Sequence, residues 1–182
     1  RCEDLASATY AVGFFSGVPG LSPGEGLVSL WEFEDQLADV ADDYPVSTSA
    51  AEDLLTAQGG AARFAPGIVG KALAIGDEPA DALWLSAPDS ADVDLPATYT
   101  IEAWILPTTV GSWNRLALCW GHAPAYAWHL AIHDGAASLY HGQADGKLVF
   151  AERGAVRPGR WHHLVGVASI DAVEAAIAAM LD

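Results

Sequence analysis

Alternating apolar and polar residues along the chain predict a protein built from short β-strands. The clearest strand is TYTIEAWILP at 98–107, which is rich in β-branched and aromatic residues and ends at Pro107. ARF at 62–64, KALAI at 71–75 and ALWLS at 82–86 are shorter runs of the same kind. Later runs, RLALCW, YAWHLAIH, ASLYH, LVFAE and WHHLVGVA, continue the pattern. Many short strands with no helix between them predict an antiparallel sandwich.

A two-residue turn fixes the register of two of these strands. YAWHLAIH and ASLYH are joined by Asp134-Gly135, and Asp-Gly between alternating runs favours a type I′ hairpin because both turn residues need positive φ. His129 then lies opposite Tyr140. One strand face is apolar and is predicted to line the core: Tyr126, Trp128, Leu130 and Ile132. The other face carries His129, Ala131, His133, Ser138 and Tyr140.

The first part of the chain is predicted to be an arm. Residues 1–26 end in GVPGLSPGEG, and such Gly/Pro-rich stretches are typical of linkers. LVSLWEF at 27–33 alternates well enough to be the first strand of the sandwich. We therefore expect an N-terminal arm or linker over 1–26 and a sandwich over 27–168.

The end of the chain has the pattern of an amphipathic helix. Asp171 is followed three residues later by Glu174, which is the spacing of a capping box. Apolar residues recur at helical intervals at Ile170, Val173, Ile177 and Leu181. These observations predict a C-terminal helix over 169–182.

The chain is acidic, and its charge is uneven. The formal net charge is −16, with 17 Asp and Glu against 3 Lys and Arg in residues 1–100, and 7 against 5 in residues 101–182. Such a surface repels phosphate backbones, so nucleic-acid binding is not expected. Cationic partners and simple solubility are both consistent with this charge.

The expected location is extracellular, periplasmic or at the cell surface. No apolar run is long enough to span a membrane, so no membrane span is expected. The sequence starts without Met and lacks a basic-then-apolar leader, so we expect that a leader has been removed or that the segment comes from a longer protein.

The sequence has two cysteines, Cys2 and Cys119. They either form a disulfide that pins the arm or remain two separate thiols.

Four short motifs follow one another in a fixed order along residues 27–168. They comprise Trp31 and Phe33; Pro66, Gly67, Gly70, Ala72 and Leu73; Ala103, Trp104 and Pro107; and Trp161, His162 and His163. In this order they resemble the laminin-G-like, concanavalin-A-like jelly-roll modules of bacterial secreted and surface proteins. The resemblance implies an all-β antiparallel jelly-roll sandwich.

One departure from that family concerns the sheet edges. After the "WHH" strand the family continues with further strands, whereas this sequence continues with the predicted helix. We therefore expect an incomplete sandwich that lacks its C-terminal strands and has open sheet edges. Because unpaired edges invite association, self-association or marginal stability is expected.

The polar strand face is the candidate ligand-binding surface. Sugar recognition needs an aromatic ring for the apolar face of the sugar and planar polar groups for its hydroxyls. His129, His133 and Tyr140 offer such groups, and Arg115 and Trp113 are candidates to extend the surface. Ser138 and the loop residue His122 belong to the same candidate surface. The alternative is an ordinary solvent-exposed face.

Calcium is the one metal that the sequence suggests, and no cofactor is established. Asp77, Glu78 and Asp81 lie where the resembling family has an Asp-containing loop, and related modules hold Ca²⁺ near such loops. Hard oxygen ligands on a loop suit this ion. A solvated acidic turn is the alternative. His129 and His133 do not share a metal, because four residues of a strand separate them by roughly 13 Å.

Catalysis is not expected. The Glu-x-Asp-x-x-Glu signature of glycoside hydrolases with this fold is absent, and Glu102 on the strongest strand has no carboxylate two or four residues away. The resemblance also implies that His162 and His163 are largely structural. The predicted function is non-catalytic recognition of a glycan or protein partner in a secreted or surface protein. The alternatives are a structural or adhesive spacer domain and, more distantly, a degenerate glycoside hydrolase.

Overall fold

The computed structural model describes residues 10–13, 31–38, 54–75, 83–87, 99–119, 128–142, 147–169 and 172–178. Within these ranges every regular element is a strand, and no helix is present that could cross a membrane. The strands are β1 (Tyr10–Gly13), β2 (Thr56–Gln58), β3 (Arg63–Pro66), β4 (Lys71–Ile75), β5 (Trp84–Ser86), β6 (Tyr99–Pro107), β7 (Trp113–Cys119), β8 (Trp128–His133), β9 (Ala136–Gly142), β10 (Leu148–Arg153), β11 (His162–Ser169) and β12 (Ala172–Ala178).

The strands form two large sheets and a small one, with antiparallel pairing throughout. A six-stranded sheet has the order β12-β11-β6-β1-β4-β3, and a four-stranded sheet has the order β10-β9-β8-β7. Strands β2 and β5 form a separate pair. The four-stranded sheet is a meander, since its strands are neighbours in both sequence and space. The prediction of antiparallel β-structure is confirmed.

The core lies between the two large sheets. Ile105 and Leu164 from the six-stranded sheet join Leu130 and Ile132 from the four-stranded sheet in one buried cluster. The sheets approach closely where Gly166 of β11 faces β9, because a Cβ at Gly166 would come within 3.0 Å of a Leu139 methyl carbon. A larger side chain at this position would push the layers apart.

The hairpin between β8 and β9 has the predicted register. Asp134 and Gly135 have φ values of 47° and 82°, and both lie in the left-handed region that a type I′ turn requires. His133 pairs with Ala136, and four residues earlier His129 pairs with Tyr140. The turn therefore fixes which side chains of the two strands share a face.

The predicted C-terminal helix is wrong where the structure describes it. Residues 172–178 form β12, which pairs antiparallel with β11 from Ser169↔Ala172 to His163↔Ala178. Spacing of four residues between Val173 and Ile177 fits one face of a helix and equally one face of a strand. The alanines favour a helix locally, but pairing with β11 and packing near β9 and β10 override that preference.

The same strand corrects the expectation of missing C-terminal strands. From the sequence, the edge of β11 after the "WHH" motif is expected to be open. In the structure β12 pairs along that edge, so a strand does follow at this position. The inference of an open edge at β11 is therefore wrong, and self-association loses that part of its rationale.

Two N-terminal interpretations also change. Tyr10–Gly13, which we predicted to belong to an arm, form β1 and pair with both β4 and β6 inside the six-stranded sheet. Residues 31–33, the end of the predicted LVSLWEF strand, are not in a strand, although Phe33 is buried in the core. The rest of residues 1–30 lies outside the described part of the chain.

A buried polar pair links β6 of the six-stranded sheet to β9 of the four-stranded sheet. The Tyr99 hydroxyl and His141 Nδ1 are 2.9 Å apart, and both side chains are buried. Burial raises the pKa of Tyr99 and lowers the pKa of His141 below its ordinary value of 6.5. Both groups are thus held neutral, which is the form that a buried hydrogen-bonded pair favours.

Candidate binding face

The side of the four-stranded sheet that faces away from the core carries most of the predicted binding residues. Along β8, Leu130 and Ile132 lie in the core, so the residues that alternate with them lie on the opposite side. We call this side the outer face. Its described side chains, placed by the strand register, include Trp113, His129, Ala131, His133, Ser138, Tyr140, Phe150 and Glu152.

The indole of Trp113 lies across the middle of the outer face. Its ring stacks on His133 with centroids 4.0 Å apart, and it meets His129 edge-on at 5.8 Å. Because these histidines are four residues apart on β8, a ring that contacts both must cross Ala131, which lies between them. Ala131 is fully buried, as this arrangement requires. Trp113 therefore covers the centre of the face and keeps one side of its own ring near solvent.

Tyr140 links Trp113 to a second exposed ring. The centroid of Tyr140 is 5.4 Å from that of Trp113 and 5.2 Å from that of Phe150, on which it stacks. Tyr140 also contacts His129, with centroids 4.3 Å apart. Phe150 is 59% exposed and Trp113 is 38% exposed, which is high for rings of this size. We call Trp113, Tyr140 and Phe150 the aromatic row.

The carboxylate of Glu152 accepts three hydrogen bonds beside the aromatic row. Its Oε1 lies 2.6 Å from His133 Nδ1, 3.0 Å from the Tyr140 hydroxyl and 3.2 Å from the Ser138 hydroxyl. The donors come from β8 and β9, whereas Glu152 is on β10. Three donors on one oxygen hold the carboxylate in a single orientation.

These contacts set the charge of the site. The hydrogen bond from His133 is the main reason why the pKa of Glu152 is lowered, and the Tyr140 and Ser138 hydroxyls act in the same direction. Burial and then the hydrogen bond to Glu152 raise the pKa of Tyr140 to about 12. Near neutral pH the site therefore presents one carboxylate anion next to a neutral phenol.

Comparison with known families identifies the fold. Residues 80–177, more than half of the chain, match a laminin G family model described as the concanavalin A-like lectin/glucanases superfamily. The chain belongs to the concanavalin A-like lectin/glucanase superfamily. No curated protein and no solved structure matches it.

Membership of this superfamily implies a jelly-roll sandwich, which agrees with the two facing antiparallel sheets. The matched residues contain the whole four-stranded sheet and therefore the outer face. They also extend into β12, so all but the last residue of the strand that replaces the predicted helix lies inside the superfamily match. The resemblance found in the four sequence motifs is confirmed.

The structure brings together four of the five predicted ligand-binding residues. On the outer face Trp113 contacts the rings of His129, His133 and Tyr140. Arg115 pairs with Ala131 in the strand register, but its side chain lies outside the described part of the structure. His122 is also outside the described residues.

The structure changes which of these groups a ligand can reach. From the sequence, the row from His129 to Tyr140 is predicted to be one exposed surface. His129 and Ser138 are in fact buried. His129 lies against the rings of Trp113 and Tyr140, and the Ser138 hydroxyl donates to Glu152. Among the described rings of this face, Phe150 and Trp113 are exposed, and the side chain of Glu152 is 29% exposed.

Sequence reasoning missed Phe150 and Glu152. Both lie in LVFAE, the run that was recognised as a strand. The β9–β10 register pairs Phe150 with Tyr140 and Glu152 with Ser138. Extending the hairpin register by one more strand would have placed both residues on the outer face.

The calcium hypothesis stays a prediction. Asp77, Glu78 and Asp81 lie outside the described residues. Among the residues that the structure describes, no group of three His, Cys, Asp or Glu side chains is arranged to hold a metal ion. A disulfide between Cys2 and Cys119 also stays a prediction, because Cys2 and the side chain of Cys119 lie outside the described part of the structure.

The two neighbouring histidines of β11 make separate contacts. His162 Nε2 lies 3.0 Å from both the backbone nitrogen and the carbonyl oxygen of Arg157. The ring of His163 stacks on Trp104 at 4.6 Å, and its Nε2 lies 3.1 Å from Glu102 Oε2. Both rings are buried, and these contacts tie β11 to β6 and to the preceding loop.

Proposed function

We propose that the chain is a non-catalytic recognition module of a secreted or surface protein, and that its outer face binds a glycan. The observation that carries this proposal is the aromatic row, with Trp113 and Phe150 partly open to solvent, next to the fixed carboxylate of Glu152. Large rings left exposed on a folded surface favour a contact role over a packing role.

The chemistry of a sugar fits this arrangement. A pyranose ring has an apolar face of C–H groups that packs on an aromatic ring, and equatorial hydroxyls that donate to a carboxylate. Side chains that are already fixed lose little rotamer entropy on binding. Contacts around Trp113 and the hydrogen bonds to Glu152 fix these groups before a ligand arrives.

A structural or adhesive spacer is the second candidate. It would need no ligand on the outer face, and the exposed rings would then contact only neighbouring parts of a larger protein. A degenerate glycoside hydrolase is the third and most distant. Its catalysis would need a second carboxyl group at a set distance from the first, and the sequence lacks the paired-carboxylate signature.

A glycan array tests the proposal against the spacer. Wild type should give reproducible hits, and Phe150→Ala should weaken binding to the best hit about tenfold, because an aromatic contact that is truncated commonly costs at least 1 kcal/mol. Since Phe150 is 59% exposed, the melting temperature should hardly change.

The matched control is Ile68→Ala, in the loop between β3 and β4 of the other sheet. Ile68 is 40% exposed, so this variant also removes an exposed apolar side chain, but away from the outer face. It should bind like wild type. A blank array, or equal loss of binding in both variants, would favour the spacer.

A further inference from the structure

We propose that the glycan bound by the outer face carries protonated amino groups, as a polymer of free amino sugars does, and that Glu152 is the residue that selects it. This inference rests on the proposed function. It adds the chemical class of the ligand and a residue that determines specificity.

The geometry of Glu152 leaves one oxygen for a ligand. Within the described part of the chain, the three hydrogen bonds to this carboxylate all end on Oε1. Oε2 therefore keeps its capacity to accept. The side chain of Glu152 is 29% exposed, so an ammonium group from solvent can approach it. A charge-assisted hydrogen bond between an ammonium and a carboxylate is stronger than one from a neutral hydroxyl.

The aromatic row favours the same charge. The faces of aromatic rings carry negative potential, and cations within about 6 Å of a ring centroid are attracted to them. Tyr140 donates its hydroxyl to Glu152 and stacks on Phe150, so an amine next to this carboxylate also lies near exposed ring surface. A neutral sugar gains only the weaker hydrogen bond from a hydroxyl and the packing on the rings, and an anionic sugar is repelled by the carboxylate.

The charges around the site add to the preference. Asp134 follows His133 at the turn, with its carboxylate 3.7 Å from His133 Nε2 and largely exposed. The whole chain has a formal net charge of −16, which repels uronic acids and sulfated sugars. A cationic glycan is therefore attracted at long range by the net negative charge of the chain and at the site by the carboxylates.

The arginines on the strands of this sheet are placed away from Glu152. Arg153 pairs with Ala137, which lies in the core cluster, so it alternates with Glu152 along β10 and falls on the other side of the strand. Arg115 stands at the outer-face register position of β7, three strand spacings from Glu152. Those spacings put its backbone roughly 14 Å from that of Glu152.

The test uses matched oligomers of one sugar. The glucosamine hexamer is cationic near pH 6, and its fully N-acetylated form is neutral with the same backbone. Isothermal titration of wild type should show at least tenfold tighter binding of the glucosamine hexamer, and this preference should weaken as salt is added.

Glu152→Gln keeps the shape of the side chain and removes its charge. It should weaken binding of the glucosamine hexamer at least tenfold and leave binding of the N-acetylated hexamer nearly unchanged. Glu102→Gln is the matched control, because Glu102 also faces a histidine but lies on the other sheet. It should keep the full preference of wild type.

The outcomes separate this inference from the proposed function. If wild type binds both hexamers equally and Glu152→Gln changes neither, the amine inference is overturned and glycan binding stands. If both variants lose the preference equally, or if hexalysine binds as tightly as the sugar, the attraction is a general effect of net charge and the inference is overturned. If no oligomer and no arrayed glycan binds, the proposed function itself fails.

Discussion

Replacing Leu130 by alanine should lower the free energy of unfolding by about 3 kcal/mol. Leu130 lies in the centre of β8 with 2% of its surface exposed, and it packs in one cluster with Ile105 and Leu164 of the opposite sheet. Truncation removes apolar contacts and leaves a cavity between two sheets that cannot fully collapse into it.

Urea unfolding followed by tryptophan fluorescence measures this change. The midpoint should fall while the denaturant dependence stays the same. Leu148→Ala is the matched control, because Leu148 is 53% exposed on the edge strand β10 and its loss should cost less than about 0.5 kcal/mol. Equal effects of the two variants would contradict a core placed between the two sheets.

Acid should destabilise the protein through His141. Burial holds the pKa of this ring below 6.5, so the unfolded chain takes up a proton in a pH range where the folded chain does not. Its contribution to stability is therefore complete above pH 6.5 and is lost as the pH falls toward the folded pKa. The slope reaches at most about 1.4 kcal/mol per pH unit.

His141→Phe removes the titrating ring and should flatten that part of the stability profile. His162 and His163 are unchanged in this variant, so the difference from wild type isolates His141. The comparison is made by urea unfolding at a series of pH values from about 5 to about 7.5. If the two profiles run parallel below pH 6.5, His141 does not titrate as its burial requires.

At neutral pH the same pair predicts a cost for Tyr99→Phe. The hydroxyl of Tyr99 is 2.9 Å from His141 Nδ1, and removing it leaves a buried ring nitrogen without its hydrogen bond. Such a loss costs about 1–3 kcal/mol.

The fold class and the central hairpin were predictable because they rest on local rules. Alternation identified most of the strands that the structure describes. Asp134-Gly135 then fixed the register of β8 and β9, since only one pairing fits a two-residue type I′ turn. His129 opposite Tyr140 followed directly from that turn.

The C-terminal strand was not predictable from the same rules. Val173 and Ile177 satisfy both a helical and a strand periodicity, and alanine-rich sequence favours the helix when read alone. What decides is the pairing of this segment with β11, from Ser169↔Ala172 to His163↔Ala178. The two strands are close in sequence, but Ile170-Asp171 between them lacks the Asp-Gly signal that marked the turn between β8 and β9.

The candidate site was half predictable. The face, and four of its residues, followed from alternation. The position of the Trp113 ring over Ala131 did not follow from alternation. Trp113 is on β7 and its ring lies over β8, and the spacing of residues along one strand does not show where a long side chain lies on the neighbouring strand. Glu152 was missed for a related reason, since its role depends on donors from two other strands.

Amide resonances of isotope-labelled protein, recorded while the best array glycan is added, test the central claim most directly. The account predicts that the shifted amides of the described residues cluster on β7 to β10, around Trp113, Tyr140, Phe150 and Glu152. Shifts that cluster on the six-stranded sheet instead, with the outer face unchanged, would contradict it.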